Sequence, residues 1–151
     1  MLQQATKRIV PQDPVQGLLS RAMDYHQKNK LSQAKKYYKR VLKIDSQHPD
    51  ALHLLGIIFH QMGHDRHAVE LIRKAIANES EQAIFHTNLA IVYNSTNQWN
   101  EAEAAARDSL EINSNDPKAW GNLGQALAGL ERISDAIKAY EKSISFDKFK
   151  I

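Results

Sequence analysis

The chain has no cysteine among its 151 residues. That excludes a disulfide, a thiolate nucleophile and any zinc site built on cysteine. Proline and glycine are scarce, at four and six residues, and aromatic side chains make up only 7%. No apolar run reaches the length of a membrane span. The first fourteen residues hold Lys7 and Arg8 but lack the apolar core of a secretory signal. Together these absences fit a cytoplasmic location. There is no glycine-rich phosphate loop and no nucleophile elbow, and serine and histidine fall at no charge-relay spacing. Neither an enzymatic activity nor a cofactor is expected. What is present is ordinary for a folded protein: 42% hydrophobic and 25% charged residues, which excludes wholesale disorder.

The formal net charge of +3 hides an uneven distribution. Residues 1–48 carry 10 basic and 3 acidic side chains, residues 49–116 carry 4 and 10, and residues 117–151 carry 6 and 4. A repeat explains where these blocks divide. Ala34, Ala68, Ala102 and Ala136 are 34 residues apart without a slip. The same step joins Ala22, Gly56, Ala90 and Gly124, then Tyr25, Phe59, Tyr93 and Leu127, then Leu42, Ile76, Leu110 and Ile144. A fixed period of this length is the signature of a repeat array. The units run 15–48, 49–82, 83–116 and 117–151, after a lead-in over 1–14 whose prolines preclude a long helix.

Each unit reads as two helices. In the second, Leu52, Leu55, Gly56 and Phe59 recur at helical steps, and Ala68, Ile72, Ala75 and Ile76 form a second stripe. Between the stripes lies the column Asn29, Gly63, Asn97 and Glu131. Glycine and asparagine there suit the left-handed residue that ends a helix. Glu131 departs from that chemistry, and nearby Gly129 is the candidate to relax its turn. The small column Ala22, Gly56, Ala90 and Gly124 lets paired helices approach closely. Pro11, Pro14, Pro49 and Pro117 all lie at or before unit starts, where a helix tolerates proline.

These residues resemble the tetratricopeptide repeat. The fourth unit matches best, with Trp120, Leu123, Gly124, Ala136 and Tyr140 opened by Pro117. Arg21, His86 and Ala106 depart from the family pattern. More narrowly, the run Gln47 to Gly56 is similar to bacterial arrays of the O-GlcNAc-transferase type. The resemblance implies an all-α, right-handed α-solenoid with a concave groove lined by the first helix of each unit.

Carried onto this sequence, the groove columns are Gln16, Leu19, Ser20, Met23 and His26 in unit one, and Asp50, His53, Leu54, Ile57 and His60 in unit two. Unit three gives Ile84, Thr87, Asn88, Ile91 and Asn94, and unit four Lys118, Gly121, Asn122 and Gln125. The surface is apolar at its start and amide-rich at its end. Exposed apolar groups in a groove call for a partner, and asparagine amides can hold a peptide backbone by donating and accepting together. Asn88 and Asn122 occupy the column of an asparagine ladder, with Ser20 and Leu54 in its other two places. A clamp for chaperone C-termini, which needs Lys and Asn in three successive units, is poorly matched. The candidate contact residues are Met23, Leu54, Ile57, Asn88, Ile91, Asn122 and Gln125, and the partner is a protein or peptide.

Lys35, Lys36, Lys39, Arg40 and Lys43 share one face of the first unit, away from Ala34, Tyr38 and Val41. With no ring on that face beyond Tyr37, nucleic acid is not the expected partner. His60, His64 and His67 have a spacing at which imidazoles can bind zinc, but they straddle a turn, and no metal site is expected. At the far end, Tyr140 and Ile144, with Ile137, would lie partly bare, and since arrays need a polar cap this face is expected to be covered by another copy, a further domain or the tail. The leading expectation is a non-enzymatic interaction module. The alternatives are the substrate-selecting N-terminal array of a larger, glycosyltransferase-like enzyme and a self-associating scaffold.

Overall fold

A computed structural model describes residues 13–147. The lead-in before Asp13 and the tail from residue 148 lie outside the described residues. Between them run eight helices: α1 (Pro14–Gln27), α2 (Leu31–Ile44), α3 (Pro49–Gln61), α4 (Asp65–Asn78), α5 (Ala83–Ser95), α6 (Trp99–Ile112), α7 (Pro117–Gly129) and α8 (Ile133–Asp147). Each odd helix pairs with the even helix after it, and each even helix packs on the odd helix of the next unit. The odd helices also approach one another, α3 with α5 and α5 with α7, which places them on the inside of the curve. The result is an all-α, right-handed solenoid.

Local chemistry sets the helix starts. Pro14, Pro49 and Pro117 each occupy a first turn, where the missing N–H has no helical partner to lose. Each is preceded by a side-chain cap. Asp13 accepts from the Val15 N–H at 3.0 Å, His48 Nδ1 from Ala51 at 3.2 Å and Asp116 Oδ1 from Lys118 at 2.9 Å.

The turns inside the units are four copies of one device. Asn29, Gly63, Asn97 and Glu131 have φ of 56°, 81°, 58° and 61°. The next N–H closes the motif on the carbonyl of the large column: Lys30 on Tyr25, His64 on Phe59, Gln98 on Tyr93 and Arg132 on Leu127, at 2.8 to 2.9 Å. Glu131 therefore takes the left-handed conformation itself. Gly129 does not relax the turn. Its missing side chain instead makes room for the Trp99 ring, which lies where a Cβ would go. A β-carbon raises the left-handed conformation by roughly 1–2 kcal/mol. Glu131→Gly is accordingly expected to raise stability by about 1 kcal/mol in urea unfolding. An unchanged or lowered midpoint would count against a strained turn.

The small column acts as expected. A Cβ at Gly56 would sit 2.7 Å from Ile72 Cγ1, and one at Gly124 would sit 2.9 Å from the Tyr140 ring. Ala22 and Ala90 are fully buried at the same crossings. The core is a line of such junctions. One cluster joins units one and two, another runs from α4 to α8, and Leu52, Ala75 and Phe85 lie between them. Tyr38 and Ile72 are fully buried against the unit that follows. Their column mate Tyr140 is 40% exposed, and Ile133, Ile137 and Ile144 are exposed beside it. That face of α8 is bare among the described residues. No helix among them is long and apolar enough to cross a membrane.

Candidate functional site

The concave face takes its side chains from α1, α3, α5 and α7. Of the seven candidate contact residues none is buried. Met23 and Gln125 are exposed, and Leu54, Ile57, Asn88, Ile91 and Asn122 are half-buried. Five of them fall into two depressions. The first, of about 380 Å³, lies between α1, α2 and α3 and brings together Met23, Leu54, His26, Gln27, Tyr38 and Gln61. The second, of about 430 Å³, brings Ile91, Asn122 and Gln125 beside Lys118, Gly121 and Ser143. Ile57 and Asn88 lie between the two and line neither.

The first depression has a fixed polar wall. His26 Nε2 is 2.9 Å from Gln61 Oε1, and Tyr38 Oη is 3.5 Å from His26 Nδ1. In the tautomer with its proton on Nε2 the ring donates to the glutamine, and Nδ1 accepts from the phenol. Burial pushes the Tyr38 hydroxyl up to about 12, so it remains a donor.

Four groove-column residues do not reach solvent. Leu19 packs into the first cluster, and His53, Thr87 and Asn94 are buried. Leu19, His53 and Thr87 form one column that turns to the core in units one to three alike, whereas Asn94 is buried where its column mates His26 and His60 stay half-buried. Thr87 Oγ1 lies 2.7 Å from Ser109 Oγ and 3.2 Å from Asp116 Oδ2, and Ser109 donates to the Ala83 carbonyl at 3.0 Å. Asp116 thus caps α7 with one oxygen and ties α5 to it with the other. The signal for this junction is present in sequence, since unit three alone has hydroxyls in both the Thr87 and the Ser109 columns after apolar or imidazole residues in units one and two. Asn94 Nδ2 donates to the Asn122 carbonyl at 3.0 Å, while its Oδ1 is buried without a protein partner.

His53 stacks on Phe85 at 4.5 Å between ring centroids, and Asn88 Nδ2 lies 2.7 Å from its Nε2. Burial lowers its pKa to about 4, so it is neutral near pH 7 and accepts from the Asn88 amide. The ladder position at Asn88 therefore already spends one N–H within the chain.

The other sequence features are dispersed. His60 Nδ1 turns to Asp65 at 2.6 Å, whereas His67 stacks on Phe59 at 5.4 Å. The three imidazoles do not converge, and no metal-competent cluster occurs among the described residues. The basic face of α2 has more rings than its own sequence shows. Lys35 and Lys39 lie 5.7 and 5.9 Å from the Phe59 centroid and Arg40 lies 5.2 Å from Tyr37. Phe59 comes from the next unit, so only packing brings it there.

Sequence models of the TPR repeat match residues 23–63, and models of the tetratricopeptide repeat match 51–83, 87–113 and 117–149. A curated relative is Superkiller protein 3 of Schizosaccharomyces pombe, 24% identical over 131 residues. The match covers 82% of this chain but 9% of that protein. Among solved structures, MamA superposes with a TM-score of 0.83 at 22% identity, covering 91% of this chain and 80% of that one. The Thermobaculum terrenum O-GlcNAc transferase superposes with a TM-score of 0.71 at 28% identity, covering 75% of this chain and 22% of the transferase.

Proposed function

This chain belongs to the tetratricopeptide repeat family, and from that premise we propose that it is a non-enzymatic interaction module holding a peptide or partner protein in its concave groove. The observation that carries the reading is the row of apolar side chains left on the inner helices. Met23, Leu54, Ile57 and Ile91 all retain exposure on a face where solvent alone would select polar groups. The depression at Met23 and Leu54 would take an apolar side chain. The amides of Asn122 and Gln125 would hold backbone groups further along. Since Asn88 is tied to His53, a ladder of the kind considered above would rest on Asn122 and on the Asn88 oxygen. A cytoplasmic location is part of the same reading.

The test begins with a peptide array to find a binding sequence, followed by calorimetry on purified variants. Leu54→Ala and Asn122→Ala are each expected to weaken binding about fivefold to tenfold, as for loss of one good apolar or hydrogen-bonded contact. Unchanged affinity in both would remove the groove from consideration.

The likeness to a bacterial O-GlcNAc transferase favours a second reading, in which this array selects substrates for a larger enzyme. Sequencing the source gene beyond the codon for Ile151 separates the two. A self-associating scaffold draws on the bare face of α8, and light scattering across concentration tests it.

A further inference from the structure

A third depression lies on the opposite, convex side, between α6, α7 and α8, with a volume of about 670 Å³. Its origin is legible in two repeat columns. The large column runs Tyr25, Phe59, Tyr93, Leu127, and the column that faces it runs Tyr37, Leu71, Ala105, Ala139. In unit one the two positions hold a stacked pair, with Tyr25 and Tyr37 centroids 5.4 Å apart. In unit four both have shrunk, to Leu127 and Ala139, and both line the cleft. The space is thus what remains when a ring pair is removed from a site whose backbone is kept.

The walls select a ligand. Trp120 stands at the side, and its indole N–H is already used on the Ser114 carbonyl at 2.8 Å, which leaves the ring as a stacking surface. The lining has four cations, Arg107, Arg132, Lys138 and Lys142, against the carboxylates of Asp135 and Glu141. The two arginines share Glu103 at 2.8 and 3.0 Å, and Arg132 also reaches Asp135. Lys138 and Lys142 have no carboxylate within ion-pair distance among the described residues, and Lys142 Nζ lies 5.7 Å from the Trp120 centroid. An apolar floor beside two unpaired ammonium groups complements an anion attached to a large apolar body.

We propose that this convex cleft is a second binding site, for an acidic peptide segment. Such a segment inserts an aromatic side chain over Leu127 and Ala139 and sets its carboxylates against Lys138 and Lys142. The site is separate from the concave groove and is open while the groove is occupied.

The probe is the blocked peptide acetyl-Glu-Asp-Trp-Glu-Asp-amide, titrated into labelled protein and followed by amide NMR shifts. Shifts are expected at Leu127, Ala139 and the Trp120 indole. They should disappear for the peptide with Ala in place of Trp and for the one with Lys in place of each acid. Leu127→Tyr with Ala139→Tyr restores the ring pair of unit one and should weaken binding at least tenfold. Should that variant fail to fold, Lys138→Glu with Lys142→Glu leaves the floor intact and should weaken binding by a similar factor. No shifts at millimolar peptide, shifts confined to α1, α3 and α5, or equal binding by the filled or charge-reversed protein would each overturn the proposal.

Discussion

Phe85→Ala is expected to lower stability by about 3–5 kcal/mol, the range for truncating a fully buried aromatic ring. Phe85 is 1% exposed. It is the one large side chain of α5 that enters the cluster with Leu52 and Ala75 of the preceding unit, and its other face stacks on His53. In an array each unit is stabilised mainly by its neighbours, so a cavity here weakens the coupling of units two and three rather than one unit alone. The urea midpoint should fall, and the transition should broaden as the two halves begin to unfold separately. A loss below about 1 kcal/mol with an unchanged slope would mean that the junction does not depend on this ring.

Acidification from pH 7.5 to 5 is expected to destabilise the protein through His53. Its pKa is about 4 when folded, against about 6.5 in an unfolded chain, and burial is the cause. Between those values the unfolded state binds the proton that the folded state refuses, so stability falls as pH falls from about 6.5 to about 4. At 1.36 kcal/mol per unit the full contribution is on the order of 3 kcal/mol, much of it gone by pH 5. His53→Gln, which keeps a side chain able to accept from Asn88 without titrating, should flatten the dependence in that window. Glu103 does not confuse the reading. Burial opposes its ionisation, but Arg107 and Arg132 outweigh that and hold its pKa below the usual carboxylate range, so its own loss comes at lower pH. The two experiments are linked, because opening a cavity at Phe85 admits water to His53 and should return its pKa toward the ordinary value. If the wild-type midpoint is the same at pH 7.5 and 5, or His53→Gln keeps the full slope, burial of this imidazole is not what makes the array acid-sensitive.

Most of the fold was legible because a repeat reports each position four times. Ala22, Gly56, Ala90 and Gly124 identify a close helix crossing without any coordinates, and the crossing is where they put it. The turn column was legible for Asn29, Gly63 and Asn97 by residue chemistry. For Glu131 only register reveals the left-handed backbone, and Gly129, though near that turn in sequence, serves the crossing of the Trp99 ring instead. The groove was legible as columns but not as exposure. Leu19, His53 and Thr87 share one column that is buried in all three units, and Asn94 is buried where its column mates His26 and His60 are half-buried.

The sequence by itself determined the period, the helix pairing, the prolines at the helix starts and the close crossings of the small column. These depend on spacing along one or two helices, and spacing is what a sequence records. Only the tertiary structure decided which polar groups are spent internally, such as Asn88 on His53 and Thr87 on Ser109, and which cations lie over Phe59. It also decided that the shrinking of two columns leaves an open convex cleft rather than a collapsed one. The hydrogen bonds and cation contacts join residues 20 to 35 positions apart through side-chain packing, and a hydrogen-bond partner or a residual space is fixed by distances of a few tenths of an ångström that no one-dimensional pattern encodes.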